Sequence, residues 1–145
     1  MKILSKEKIR LNVKAGDKLE AVRLAGRLLV EDGHVPPEYV DSMIRREEAS
    51  STYLGAGLAM PHGTNEAKSL IKSTGLSILV LTDGVDFGGD EPVRLVIGLA
   101  ALGDEHMDVL AGVAELMSDE EDRQRILNAS SEEDLLRVFE RAVER

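Results

Sequence analysis

Two apolar segments in the middle of the chain constrain the fold more than any other feature. The segment from Gly75 to Thr82 has few polar positions, and from Val93 to Leu102 only Arg94 interrupts the apolar run before Gly98. Strands this apolar are usually covered on both faces. Helical periodicity precedes and follows them, so we predict an α/β fold with a central sheet sandwiched by helices on both faces. A chain of 145 residues is expected to form a single domain, 1–145.

Helix signals flank these strands. Asp17 and Glu20 are spaced as in a capping box, and Gly33 stands where a helix C-cap belongs, which predicts a helix from Asp17 to Asp32. A second helix is expected from Pro36-Pro37 to near Glu48. After the strands we predict helices capped by Asp104, over 119–127, and from Ser131 onward. Residues 49–65 are interpreted as a short strand, 58–60, between two loops, and Asp83-Gly84 as part of a connection. The strand order is not readable from these patterns.

Composition excludes several function classes. With 18 Lys+Arg against 27 Asp+Glu, the net charge of −9 argues against nucleic acid or an anionic membrane as partner. The absence of cysteine excludes disulfides, thiolate metal sites and a cysteine nucleophile. The N-terminus has no apolar segment of signal-peptide length, and the longest apolar runs are too short to span a bilayer. We therefore expect a soluble, cytoplasmic protein without membrane insertion.

The common cofactor motifs are missing. The sequence contains no GxxxxGK[ST], HExxH or GxSxG, and residues 55–60 begin like GxGxxG but end in Met without a clear preceding strand. We expect no nucleotide, no metal and no other cofactor. Any phosphoryl group handled by this chain would then arrive on another molecule.

His62 is the candidate nucleophile whose flanking residues best suit that role. Pro61 restricts the backbone before it, Gly63 allows close approach after it, and Thr64 and the following amides could donate hydrogen bonds to an anion. Such a histidine suits a phosphohistidine, because the neutral imidazole attacks phosphorus and the donors hold the phosphoryl oxygens. A plain loop histidine beside a tight turn is an equally good interpretation of the spacing alone.

The other candidates have simple structural interpretations. His34, after Gly33, is expected to be an exposed loop histidine. His106 lies in the first turn of a predicted helix, where it is either merely exposed or positioned to handle phosphate. Arg46, at the end of the second helix, either complements the helix dipole or clamps phosphoryl oxygens.

These motifs together resemble a known family. The segments 52–55 (TYLG), 57–64 (GLAMPHGT) and 66–68 (EAK) look like the signature of phosphotransferase-system (PTS) enzyme IIA domains of the mannitol/fructose class. Segments 33–40, 84–88, 95–101 and 104–106 resemble further blocks of that family. The resemblance covers nearly the whole chain, so we expect a free-standing IIA component, and the His-Gly-Thr and Glu-His pieces look mannitol-type.

The resemblance implies a fold and a mechanism. The fold is a mixed sheet sandwiched by helices. Phospho-HPr would donate a phosphoryl group to His62 at Nε2, and the chain would pass it to a cysteine of a mannitol-type IIB domain of a membrane IIB–IIC permease. By motif position Arg46 stabilises the transferring charge, and His106 assists or positions the phosphoryl group.

Two other interpretations stay open. The chain could be a regulatory module of the nitrogen-type IIA kind, whose phosphorylation state changes what it binds, or a degenerate IIA-like domain that only binds. For the carrier we expect a small, transient docking surface around His62. Its candidate apolar residues are Leu54, Leu58, Met60 and Met107, for which burial in the core is the alternative.

Overall fold

The computed structural model describes residues 3–103 and 105–143, without the side chains of His106 and 141–143. This part of the chain forms five strands and five α-helices. In chain order they are β1 (Ile9–Val13), α1 (Lys18–Glu31), α2 (Glu38–Ala49), β2 (Tyr53–Gly55), β3 (Leu58–Ala59), β4 (Gly75–Val85), β5 (Val93–Ala100), α3 (Glu105–Ser118), α4 (Glu120–Leu127) and α5 (Glu132–Val143). Short 3₁₀ helices cover Lys6–Lys8 and Asn65–Leu70.

The strands form one mixed sheet in the order β1-β4-β5-β3-β2. The pairs β1–β4 and β3–β5 are parallel, whereas β4–β5 and β2–β3 are antiparallel. The chain extends the parallel pairing of β3 with β5 by one further bridge, between His62 and Leu99. The end of β5, the residues after β3 and the start of β4 therefore lie at the same edge of the sheet.

Alternate residues of the central strands enter two separate cores, as the two-residue period of a strand requires. Leu79 and Leu81 of β4 pack with α1 and α2 on one face. Ile78 and Val80 pack with α3, α4 and α5 on the other. Both faces of the sheet are thus covered, which confirms the predicted α/β sandwich. No helix in the described part of the chain is long and apolar enough to cross a bilayer.

Local signals predicted the helix starts well. The Asp17 side chain accepts from the Glu20 N–H at 2.9 Å, and Asp119 and Ser131 cap α4 and α5 in the same manner. Gly33 adopts φ 82° just after α1, as its C-cap position predicted. Asp104, the predicted cap of α3, lies outside the described residues.

The strands depart from the prediction in three places. β1 and β2 were not predicted as strands, and the connection assigned to Asp83-Gly84 is wrong, because β4 continues through these residues to Val85. Val85 pairs with Val93 after a shift in register that follows Val80. Gly84, at φ 74°, supplies the left-handed residue that such a bulge accommodates.

Candidate active site

His62 lies at the sheet edge where β3 ends. The Leu99 N–H of β5 donates to the Pro61 carbonyl at 2.9 Å, so the residue before His62 is still held by the sheet. The chain then leaves the sheet through Gly63 and Thr64 into the 3₁₀ helix Asn65–Leu70. The imidazole is half-buried at this edge.

The protonation of His62 follows from its contacts. Its Nδ1 lies 2.9 Å from the carbonyl oxygen of Met60, which can only accept, so Nδ1 carries the proton and the Nε2 of the neutral ring carries the lone pair. Burial is the main effect that lowers the pKa of His62, and the nearby charges of Arg46 and Lys68 lower it further. The Met60 hydrogen bond and Glu47 oppose this. The net effect favours the neutral, nucleophilic form.

The end of α2 brings Arg46 to the same site. The Arg46 guanidinium donates through Nη1 to the Ser50 carbonyl at 2.6 Å, just beyond the helix end. The adjacent Glu47 points inward and is almost fully buried. Its carboxylate accepts hydrogen bonds from the N–H and the hydroxyl of Thr52. This anchors the segment from α2 into β2, and with it the position of Arg46.

Tyr39, in the first turn of α2, forms hydrogen bonds with the backbone next to His62. Its hydroxyl accepts from the Gly63 N–H at 2.9 Å and donates to the Leu99 carbonyl at 3.1 Å. Burial raises the pKa of Tyr39, so the phenol stays protonated and keeps its donor. The sequence analysis did not identify Tyr39 as a residue of the site.

His62 opens into a cavity of about 460 Å³. Among its described lining residues the charged side chains are Arg46 and Lys68, both positive. A chain of net charge −9 therefore presents a locally cationic pocket beside its neutral histidine. Such a pocket suits an anionic group that approaches His62 Nε2. The residues lining the cavity are Tyr39, Arg46, His62, Gly63, Thr64, Asn65, Lys68, Ile71, Leu99, Ala101, Gly103 and Met107.

The structure brings two of the three predicted site residues together, His62 and Arg46. The third, His106, belongs to the first turn of α3, but its side chain lies outside the described residues, so its place beside His62 stays a prediction. Lys68 was missed as a site residue, although it lies in the quoted EAK segment. The Gly63 N–H, which precedes the candidate anion donors at Thr64 and beyond, donates to the Tyr39 hydroxyl.

Two of the four candidate docking residues, Leu54 and Met107, are exposed, whereas Leu58 and Met60 are not. Leu58 and Met60 are buried in the core, 3% and 2% exposed, so their assignment to the surface is wrong. Both side chains pack in the core between the sheet and helices α3, α4 and α5. Met107 is 68% exposed and lines the His62 cavity, whereas Leu54 is exposed on β2. Leu102 is a further exposed apolar residue, next to Gly103 of the cavity wall.

His34 was expected to be exposed, and this is also wrong. Its ring is fully buried against Gly75. Nδ1 contacts the Ser73 hydroxyl at 2.8 Å, and Nε2 contacts the Lys8 ammonium and the Asp32 carboxylate. The sequence placed His34 after a helix correctly, but only the fold reveals that the 3₁₀ segment Lys6–Lys8 covers it.

Comparison with known proteins identifies the family. Residues 2–142 match the family described as "Phosphoenolpyruvate-dependent sugar phosphotransferase system, EIIA 2". The chain is 42% identical to the mannitol-specific phosphotransferase enzyme IIA component of Bacillus subtilis, over 96% of this chain and 97% of that protein. It is 49% identical to the protein of the same name from Halalkalibacterium halodurans, over 92% of each.

A solved structure agrees with these relatives. The chain superposes on the complex of enzyme IIAMTL and phosphorylated enzyme IIBMTL from Escherichia coli with a TM-score of 0.88. Sequence identity is 40%, and the match covers 94% of this chain and 96% of that chain. The chain belongs to the EIIA type 2 family of the sugar phosphotransferase system, whose members are phosphoryl carriers. The resemblance drawn from the motifs is confirmed.

Proposed function

We propose that this chain is the enzyme IIA component of a mannitol phosphotransferase system. It accepts a phosphoryl group from phospho-HPr on Nε2 of His62 and passes it to a cysteine of the mannitol-type IIB domain of a membrane IIB–IIC permease. Residues 1–145 act as one domain, on the cytoplasmic side of the membrane. The family match over residues 2–142 and the names of the relatives support this proposal.

The observation that carries the proposal is the contact between His62 Nδ1 and the Met60 carbonyl, 2.9 Å long. It holds one ring orientation and one tautomer, so that the lone pair is on Nε2, the atom that must attack phosphorus. The nucleophile is thus prepared before the donor arrives. Positioning of this kind supplies a large part of the rate in phosphoryl transfer.

The exchange needs no proton transfer at the attacking atom. The lone pair of His62 Nε2 attacks phosphorus in line as the N–P bond of phospho-HPr breaks, and the donor imidazole leaves with that electron pair. In the second step the IIB thiolate attacks, an S–P bond forms, and the electron pair returns to Nε2. Both steps exchange one high-energy phosphoryl bond for another, so orientation and charge stabilisation suffice.

The cationic wall of the cavity supplies the charge stabilisation. Arg46 provides a planar fork of donors that fits phosphoryl oxygens, and Lys68 adds a compact positive charge. Both line the cavity into which His62 opens. By the family motif, His106 assists in positioning the phosphoryl group.

The identity of the partners is supported by the relatives. The curated relatives reported above are mannitol-specific IIA components, and the superposed Escherichia coli structure is a complex with a phosphorylated IIB. Exposed Met107 and Leu102 flank the His62 cavity and offer apolar contacts to a docking protein. The acidic charge of the remaining surface favours donors with positive charge around their active site.

The test is a reconstitution with purified enzyme I, HPr and phosphoenolpyruvate. Intact-mass spectrometry follows the gain of one phosphoryl group, and a mannitol-type IIB is then added to test onward transfer. We expect one group to be gained and then lost to IIB. A gain that mannitol-type IIB cannot remove would replace the carrier with the regulatory alternative, and no gain at all would contradict phosphoryl transfer.

A further inference from the structure

We propose that Tyr39 is a positioning residue for phosphoryl transfer, which holds the backbone that carries His62 through its phenol hydroxyl. The inference rests on the proposed function, since it concerns the same histidine. Tyr39 does not need to touch the phosphoryl group. Its role is to fix where the His62 ring stands when the donor docks.

The hydroxyl links two backbone groups beside His62, one on the residue that follows it and one on the paired strand β5. It accepts from the N–H of Gly63, the residue after His62, and it donates to the carbonyl of Leu99, the residue that pairs with His62 across the sheet edge. The Leu99 N–H donates to the Pro61 carbonyl. If the parallel pairing continued, the next hydrogen bond would run from the Gly63 N–H to the Leu99 carbonyl. One phenol thus satisfies both at the point where the chain leaves the sheet.

The aromatic ring adds a steric wall to this hydrogen bond. A Cβ placed on Gly63 would lie 2.7 Å from Tyr39 Cε1 and 2.9 Å from Cζ, closer than such atoms approach. It would also lie 2.6 Å from the Ser42 hydroxyl oxygen. The chain after His62 therefore rests directly on the first turns of α2, and glycine is required for this close approach.

Burial makes the arrangement rigid. Tyr39 is 2% exposed, and Ser42 donates from its hydroxyl to the Tyr39 carbonyl at 2.7 Å, so the first turn of α2 is itself fixed. The backbone before His62 is held by the hydrogen bond from the Leu99 N–H to the Pro61 carbonyl. The backbone after it is held by the hydrogen bond from the Gly63 N–H to Tyr39. The ring itself is held by Met60. These contacts fix the place of the His62 ring, and a misplacement of about 1 Å can slow an oriented reaction roughly 100-fold.

The test is Tyr39→Phe, which keeps the ring and removes the hydroxyl. We expect the rate at saturating phospho-HPr to fall about tenfold, with little change in the concentration of phospho-HPr that gives half the maximal rate. Hydrogen exchange at the Gly63 amide should accelerate, because its acceptor is gone. A purely structural role would lower stability but leave the saturating rate unchanged.

Tyr53→Phe is the matched control. The Tyr53 hydroxyl also accepts from a glycine amide, that of Gly57 at 3.4 Å, and donates to Asp90 at 2.6 Å, but it does not line the His62 cavity. Its loss should leave the transfer rate at the wild-type value.

Three outcomes are distinguishable. If wild-type protein takes up no phosphoryl group, the proposed function itself fails. If wild type is phosphorylated and folded Tyr39→Phe reaches the same saturating rate, the positioning role of Tyr39 is overturned while the function stands. If Tyr39→Phe does not fold, Gly63→Ala, which pushes the loop off the ring, decides in the same assay: slower transfer supports the inference and an unchanged rate contradicts it.

Discussion

The ammonium of Lys8 lies against Nε2 of His34 in the protein interior, where both side chains are almost completely buried. The Asp32 carboxylate lies 3.2 Å from the Lys8 nitrogen and 3.0 Å from His34 Nε2, and it provides the balancing charge. An ammonium can donate to Nε2 only if the ring is neutral. Burial, and then the charge of Lys8, lower the pKa of His34 accordingly.

This arrangement predicts a loss of stability in mild acid. In the unfolded chain His34 takes up a proton near pH 6.5, whereas in the folded protein it resists protonation, so the unfolded state binds more protons. The stabilising contribution is complete above about pH 6.5 and is lost as the pH falls towards the lowered pKa. The free energy of unfolding, from urea titrations at pH 7.5 and pH 5, should decrease over this range.

His34→Gln isolates the contribution of this ring. Glutamine does not titrate, so the variant should be less stable at pH 7.5 but should show a smaller decrease between pH 7.5 and pH 5. The pKa of His62 is also lowered, so part of the decrease should persist. An identical pH dependence in the variant and wild type would contradict the interpretation of His34.

Arg46 is predicted to act on charge and not on folding. Arg46→Ala should slow phosphoryl acceptance from phospho-HPr about 100-fold, as when one preorganised donor is removed from a transition state. Arg46→Lys should recover part of the rate, because it restores the charge without the planar fork. Rapid-quench kinetics gives the rates and circular dichroism checks the fold. An unchanged transfer rate in Arg46→Ala would show that Arg46 takes no part in transfer and serves only in its hydrogen bond to Ser50 at the helix end.

The pKa of His62 should respond in opposite directions to the charges of Lys68 and Glu47. Lys68 lowers it and Glu47 raises it. Lys68→Met should therefore raise the pKa of His62, and Glu47→Gln should lower it. An NMR titration of the His62 ring proton measures both shifts. Shifts of the same sign would show that changes in packing, and not these charges, control the histidine.

His106 is predicted to matter in the second transfer step. By its place in the family motif, His106→Ala should impair passage of the phosphoryl group from His62 to the IIB cysteine. The measurement is the decay of phosphorylated protein after IIB is added, compared with wild type. Decay at the wild-type rate would remove His106 from the mechanism.

Much of the fold was predictable because local signals and packing agree. The capped helices and the apolar strands β4 and β5 follow from short-range patterns. β2 was missed for a physical reason, because it has three residues and exists only through its pairing with β3, which is a tertiary property. β1 could have been predicted, since Arg10 and Asn12 alternate with apolar residues in the two-residue period of a strand.

The candidate site was predictable to a similar extent. The family motif pointed to His62 and Arg46, and the structure places both on one cavity, while their roles in transfer stay predictions. The roles of Tyr39 and Glu47 could not be found, because both depend on contacts with segments that only folding brings near. The burial of His34 depends in the same way on Lys8, 26 residues earlier in the chain.

His62 Nε2 is proposed to carry the phosphoryl group, and phosphorylation by phospho-HPr is the decisive test. Wild type and His62→Ala are each incubated with enzyme I, HPr and phosphoenolpyruvate, and the modified peptide is mapped by mass spectrometry under neutral conditions. We expect one phosphoryl group on the peptide containing His62 in wild type and none on His62→Ala. A phosphoryl group that persists in His62→Ala would contradict it.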